Sequence, residues 1–241
     1  MSGSRGEDSY KEVGNQGKES VLSERLAFTG RIAASIAHEI RNPLGNVSLA
    51  AQQLKEVYSE DSPWSKHIEV IIRNAERINF LITELLNCAR PPELNIRPHN
   101  MYVIIENVLD STKSSLPTQG TKVIKKYNAN PSIINVDKEH IQRVFLNIIV
   151  NSVEAMPKGG TMTISSSIEE DFLVVKIQDT GVGILEEDII RIFDPFFSTK
   201  PMRVGLGLSI VYGIVVSHGG EISVESIWEK GTIFTVSLPI E

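Results

Sequence analysis

Apolar residues recur in alternating steps of four and three along the first third of the chain. The first series is Leu22, Leu26, Thr29, Ala33, Ile36, Ile40, Pro43, Val47, Ala50, Leu54 and Val57. After the polar stretch SEDSP the same steps resume through Trp64, Ile68, Ile71, Ala75, Ile78, Ile82 and Leu85. This spacing predicts two long helices with heptad seams. The short polar loop between them predicts an antiparallel helical hairpin. Two helices bury such a seam poorly, so two copies are expected to pair into a four-helix bundle. Pro43 lies inside the first series, five positions after His38. A helix-interior proline removes one backbone hydrogen bond and costs about 3 kcal/mol.

The pattern changes at CARPPELNIRPHN, where three prolines predict a stiff, extended linker. Residues 91–98 are therefore expected to separate a helical hairpin at 20–90 from a second domain at 99–241. Residues 1–19, polar and rich in Gly and Ser, read as a disordered tail. The second domain alternates helical and strand patterns. Helices are expected at Tyr102–Ser115, Lys138–Met156 and Leu206–Ser217, and strands at Thr121–Tyr127 and Ser132–Val136. Two hairpins follow from Thr161–Ile168 with Phe172–Asp179, and from Glu221–Ser226 with Thr232–Leu238. The fold class is α+β, an antiparallel-rich sheet covered by helices.

Bulk composition narrows the function. The chain has 241 residues, 41% hydrophobic and 22% charged, with a formal net charge of −6. That charge gives no electrostatic footprint for nucleic acid or an anionic membrane. One cysteine, Cys88, excludes an internal disulfide and fits a reducing, cytoplasmic setting. No apolar run reaches the length of a membrane span, although a membrane-anchored parent protein is compatible with that. GNQGKES near the start fails the spacing of a phosphate loop.

Two places carry candidate chemistry. With Ile36 at heptad position d, His38 falls at f, facing solvent, with Glu39 beside it and Asn42 one turn below. A neutral imidazole is a competent nucleophile, and a neighbouring carboxylate can orient it or take its proton. A solvated surface histidine is the plainer alternative. The second place is the helix 138–156. It is apolar nearly all round except for a stripe of Arg143, Asn147, Asn151 and Glu154. Asparagine is a mediocre helix former, and stacked amide oxygens beside a carboxylate suit a hard cation such as Mg²⁺. In KIQDTGVGI, Asp179 accepts hydrogen bonds when ionised, as an exocyclic amine requires, and Gly181 and Gly183 admit close approach of a ligand. Gly205 and Gly207 open the last helix, whose N-terminus suits phosphate. Between them FDPFFSTKPMRV supplies Phe193, Phe196, Phe197, Lys200 and Arg203. For the phenylalanines, core packing is the alternative; for the cations, a solvated loop.

In order, the chain carries HEIRNPL, NIIVNSVEAM, DTGVGI, FDPFF and GLGLSIV. This series resembles the H, N, first glycine, F and second glycine boxes of the sensor histidine kinases of two-component systems. FDPFFSTK and SIVYGIVVSHGGEI are most similar to the nitrogen-regulator type. The resemblance implies a dimerisation and histidine-phosphotransfer hairpin followed by a GHKL-type α/β sandwich that binds ATP. It implies that His38 accepts the phosphoryl group, Glu39 assists as acid or base, and Asn42 aligns groups for autophosphorylation or a water for dephosphorylation of a response regulator. Asn147 and Asn151 would hold Mg²⁺ on ATP, Asp179 would read adenine, and Gly181 and Gly183 would lie near base and sugar. Gly205, Leu206, Gly207 and Leu208 would support the phosphates beside a lid at 198–204 containing Lys200 and Arg203. The three phenylalanines would steady that lid or dock the catalytic domain on the hairpin. Pro43 would let the hairpin bend between kinase and phosphatase postures. The implied partners are a second copy and the receiver domain of a response regulator.

One departure stands out: Arg203 and Val204 occupy positions where the family usually has Gly and Thr. Arg203 is placed to compensate by meeting the γ-phosphate. Two other functions stay open. One is a GHKL ATPase or serine kinase such as an anti-sigma factor, against which His38 on a dimer hairpin argues. The other is a degenerate kinase serving as a dimeric scaffold. His218, before GG, is expected at a helix C-terminus, and His67, His99 and His140 on the surface.

Overall fold

The computed structural model describes residues 40–58, 62–89, 93–115, 120–130, 132–200 and 204–240. The chain divides into two compact units, Met1–Arg90 and Pro91–Glu241.

The first unit contains α1, helical over residues 40–57, and α2, Ser65–Ala89. Ser62 starts α2: its carbonyl accepts from the Ser65 hydroxyl at 2.6 Å and from the Ser65 N–H at 3.1 Å. The helix α1 runs through Pro43. Its buried residues are Leu44 and Ala51, while Ile40, Pro43, Val47, Ala50 and Leu54 are exposed. The expected seam is thus turned outward, and the buried line lies one position further on. In α2 the seam divides. Ile68, Ala75 and Ile82 are buried, whereas Ile71 and Ile78 remain 42% and 40% exposed. A seam with steps of four and three has two edges. One chain covers only one of them.

The second unit is built on a five-stranded sheet in the order β2-β4-β5-β7-β6. Its strands are β2 (Thr121–Tyr127), β4 (Gly160–Glu169), β5 (Phe172–Asp179), β6 (Glu221–Ile227) and β7 (Gly231–Pro239). All neighbours are antiparallel except β2 and β4. That parallel pair needs a crossover, which β3 (Ile133–Val136) and α4 (Lys138–Glu154) supply. Along β7 every second residue is buried, so one face of the sheet meets helices. The helices are α3 (Met101–Ser115), α4 and α6 (Gly207–Ser217), with α4 packed against both others. Phe145, Ile148, Ile164, Ile177 and Val215 are fully covered in the core between the layers. The helix α4 is less completely enclosed than its composition suggests, for Leu146 is 40% exposed.

Two elements escape the sequence pattern. Arg97–Asn100 forms β1, paired antiparallel with β3, although Arg97 and Pro98 read as the end of a linker. Glu186–Ile189 forms the one-turn helix α5. Asp137 joins the first of these to the rest. It caps α4 by accepting from the His140 N–H at 3.0 Å, and its other oxygen accepts from the Asn95 N–H at 2.8 Å. Burial alone would raise its pKa, but these two N–H groups and the His140 imidazole outweigh that and lower it to about 2. His140 is therefore not a plain surface histidine: its Nδ1 stands 2.9 Å from Asp137 Oδ1. His218 caps the C-terminus of α6, as expected there. Its Nδ1 lies 2.8 Å from the Ile214 carbonyl, and its Nε2 accepts from the Asp137 N–H at 3.0 Å.

Candidate nucleotide site

The helix pitch sets the first wall of a cleft in the second unit. Asn147, Asn151 and Glu154 follow at steps of four and three, so α4 presents them on one stripe, and all three line the cleft. Asn147 is oriented by its own helix. Its Nδ2 donates to the Arg143 carbonyl at 3.1 Å, which turns Oδ1 the other way. Oδ1 faces Gly207, where a β-carbon would come within 3.1 Å of it. Gly207 thus lets the start of α6 approach the amide closely.

Asp179 ends β5 and is 2% exposed. Its Oδ1 accepts from the Gly181 N–H at 2.9 Å. Burial raises its pKa, and the Gly181 N–H and the nearby Lys200 charge oppose that rise without cancelling it. Opposite Asp179 in register stands Thr232 of β7, which also lines the cleft.

The third wall is the loop before α6. Gly205 has φ +75°, and a β-carbon there would meet the Phe197 carbonyl at 2.4 Å, so the loop closes only with glycine. The Phe196 N–H donates to the Gly205 carbonyl at 3.0 Å. The three phenylalanines have different surroundings. Phe193 packs 6.0 Å from the Tyr212 ring. Phe196 is 52% exposed with φ 66°, an uncommon conformation for an aromatic residue. Phe197 lines the cleft with Arg191 4.5 Å over its ring. The N-cap residue of α6, Leu206, offers no side-chain cap hydrogen bond, and Gly207 and Leu208 at the start of the helix line the cleft. The space between these walls that protein atoms leave unfilled is about 1030 Å³, part of it open to solvent.

Of the expected nucleotide-site residues, Asn147, Asn151, Asp179, Gly183, Lys200, Gly205, Gly207 and Leu208 come together in this one cleft. Gly181 and Leu206 are not among its lining residues. Gly181 lies behind the carboxylate that it supports, and Leu206 is buried as the residue preceding α6. Arg203 lies outside the described residues, as do His38 and Glu39. Asn42, in the first unit, is exposed on α1. Thr232, Ile192 and Phe234 line the cleft although no sequence motif points to them. Among the described residues no cluster of three or more His, Cys, Asp or Glu is arranged to hold a metal ion. No described helix is long and apolar enough to cross a membrane.

Comparison with known proteins agrees with this geometry. Residues 29–93 match the model of the His Kinase A (phospho-acceptor) domain, and residues 136–241 that of the histidine kinase-, DNA gyrase B- and HSP90-like ATPase. Sporulation kinase C of Bacillus subtilis is 35% identical over 91% of this chain and 51% of its own length. Sensor histidine kinase ZraS of Salmonella typhi is 33% identical over 90% of this chain and 47% of its own. The chain belongs to the sensor histidine kinases.

This histidine kinase chain spans about half the length of those relatives. Among solved structures, histidine kinase ThkA in complex with the response regulator protein TrrA superposes with a TM-score of 0.64 at 26% identity, covering 95% of this chain and 67% of that one. Full-length ShkA in complex with AMPPNP has a TM-score of 0.74 at 22% identity, over 87% of this chain and 46% of that one, and so shares the fold.

Proposed function

We propose that this kinase chain transfers the terminal phosphoryl group of ATP to His38, and from there to an aspartate of a response regulator. The observation that carries the reading is the single cleft joining a buried carboxylate, Asp179, to a stripe of amide oxygens and the start of α6. Ionised Asp179 accepts from the exocyclic amine of adenine. The start of α6, with Gly207 and Leu208, meets the phosphates, as helix N-termini do. Lys200 adds positive charge to the lining of the same cleft, and Arg203 has the composition to do likewise. The resemblance gives the remaining roles. The bond between the γ-phosphorus and its bridging oxygen breaks, a phosphorus–nitrogen bond forms at the His38 imidazole, and ADP leaves. Glu39 takes the imidazole proton, and Asn42 aligns the acceptor or, in dephosphorylation, a water.

Mg²⁺ fits the donor set only together with the nucleotide. The orientation of Asn147 leaves a hard oxygen toward the cleft, and Asn151 adds a second amide. Two protein ligands are few for an octahedral ion, which completes its shell with phosphate oxygens and water. Chelation of Mg²⁺ is therefore expected to weaken ATP binding together with labelling, measured by titrating a fluorescent ATP analogue with and without EDTA.

The first unit is proposed as the dimerisation hairpin. Ile71, Ile78, Val47 and Leu54 leave apolar surface that a second copy would cover. The response regulator named with ThkA supports a receiver domain as the phosphoryl acceptor here, and a cytoplasmic setting suits both.

The test is incubation with γ-labelled ATP and Mg²⁺, comparing the parent chain with His38→Gln and Asn151→Asp. Acid-labile, base-stable label on the parent and on neither variant is expected. Acid-stable label, or label retained by His38→Gln, would reject a phosphohistidine at this position.

A further inference from the structure

Among the described lining residues, one carboxylate has no part in the reading above. Glu154 is the last residue of α4 and follows Asn147 and Asn151 on the same stripe. A bare carboxylate on that wall would repel a polyphosphate. It is engaged instead by Lys200, whose Nζ donates to Glu154 Oε2 at 2.6 Å across 46 positions of sequence. The lysine is aimed by its own backbone. Ser198 Oγ accepts from the Lys200 N–H at 3.1 Å and donates to the Lys200 carbonyl at 3.2 Å. The two side chains are 40% and 27% exposed, Lys200 and Glu154 respectively. A pair so open to water is a weak contact, and a stronger anion displaces one partner from it.

We propose that Glu154 is a positioning residue that competes with the nucleotide for Lys200. In the empty cleft it holds the ammonium at the α4 wall, and when ATP enters it yields that ammonium to the terminal phosphates. The inference rests on the ATP-binding reading and adds to it an internal competitor for the terminal phosphates. A triphosphate carries more charge than one carboxylate and wins the lysine. Adenosine offers nothing in exchange, and the pair stays closed. The pair thus lowers affinity for nucleotides whose phosphates reach Lys200 and leaves adenosine unaffected, so it moderates the preference that the lysine charge alone would give.

A calorimetric cycle on the whole chain tests this with a non-hydrolysable ATP analogue plus Mg²⁺, and with adenosine in parallel. Glu154→Gln is expected to tighten the analogue about two- to five-fold at low salt, the scale of freeing one half-exposed ion pair. Lys200→Gln is expected to weaken it about ten-fold, the scale of one charged contact. In the Lys200→Gln background the Glu154 substitution should tighten the analogue clearly less, by relief of repulsion alone, and adenosine affinity should stay constant throughout. Equal tightening with and without Lys200 would mean plain repulsion by Glu154 and would overturn the proposal. So would an unchanged or weakened affinity in Glu154→Gln, which would make the carboxylate a bystander, a metal ligand or a fixed support. A matching change for adenosine would show a cleft altered as a whole and would overturn the proposal as well. Failure of the parent chain to bind the analogue at all would reject the ATP reading itself, a result separable from the others.

Discussion

The two units bury their apolar residues in different ways. In the helical unit Leu44 and Ala51 on α1 and Ile68, Ala75 and Ile82 on α2 recur every seventh residue, and the apolar residues between them stay exposed. In the catalytic unit the sheet and its helices enclose Phe145, Ile148, Leu173, Ile177 and Leu238 completely. One unit closes its own core; the other leaves a second apolar edge exposed among its described residues. The same contrast holds for polar groups. The buried Asp179 and Asp137 of the catalytic unit are each met by backbone N–H groups, and Asn42 of the helical unit stands exposed on α1. The proposed roles suit this contrast: binding a nucleotide needs fixed dipoles, and meeting protein partners needs accessible surface.

The strongest way to break the comparison is to charge the exposed seam. Ile71→Asp with Ile78→Asp adds four carboxylates to the proposed dimer core. Each buried unpaired charge costs several kcal/mol, so self-association should weaken by about 1000-fold or more. Sedimentation equilibrium measures this, and ATP affinity should remain unchanged. An unaltered dimer would mean that the exposed isoleucines are not its core.

Next in size is Asp179→Asn. Nucleotide affinity should fall by about 10- to 100-fold, the worth of a hydrogen bond to a charged group. Stability should move the other way. Burial raises the folded-state pKa of Asp179, so the ionised form at neutral pH opposes folding, and removing it should raise the unfolding midpoint of the catalytic unit. A loss of stability and affinity together would reduce Asp179 to a structural residue.

A smaller effect is expected from Pro43→Ala. The helix α1 is continuous through Pro43. Alanine would strengthen it by up to about 3 kcal/mol. If the proline serves bending between kinase and phosphatase postures, the ratio of the two rates should shift several-fold. A constant ratio would leave Pro43 without that role.

What the sequence reveals and what it hides divide along a physical line. Periodicity reports on a segment's own faces, so α2, α3, α4 and α6 and the strands β4 to β7 are legible, with ends within a few residues. Pairing between distant segments leaves little local trace. RPHN has a proline and no apolar alternation, yet it becomes β1 because β3 offers it partners from Ile133 to Val136. Thr232 enters the cleft because β7 sets it opposite Asp179. The Glu154–Lys200 pair joins two motifs that each look self-contained. On α1 the heptad steps run through Ile40, and Leu44 and Ala51, next to the expected positions, take the buried line instead. Heptad spacing names the helix and the apolar stripe. Which edge of the stripe a single chain covers depends on the partner helix.

The finest probe of the self-contained unit is acid. His218 fastens the end of α6 to the start of α4, the two helices that line the cleft. Its Nε2 accepts from the Asp137 N–H, so the folded unit holds the ring neutral. Burial lowers the pKa of His218, and nearby His140 acts in the same direction. The Ile214 carbonyl and the Asp137 charge oppose the shift without cancelling it. The unfolded chain therefore takes up a proton below about pH 6.5 that the folded one refuses. Stability should fall as the pH drops from there toward the lowered folded value. Asp137 does not interfere in that window. With its pKa lowered to about 2, its contribution is lost only below about pH 4. Asp179 acts in the opposite sense, because its raised pKa makes acid stabilising above the ordinary carboxylate value. The measurement belongs in the Asp179→Asn background, as a urea midpoint followed from about pH 7 to about pH 5. His218→Gln keeps an acceptor for the Asp137 N–H and removes the titration. It should flatten the acid loss, and an undiminished slope would assign that loss to other groups and leave His218 as a cap alone.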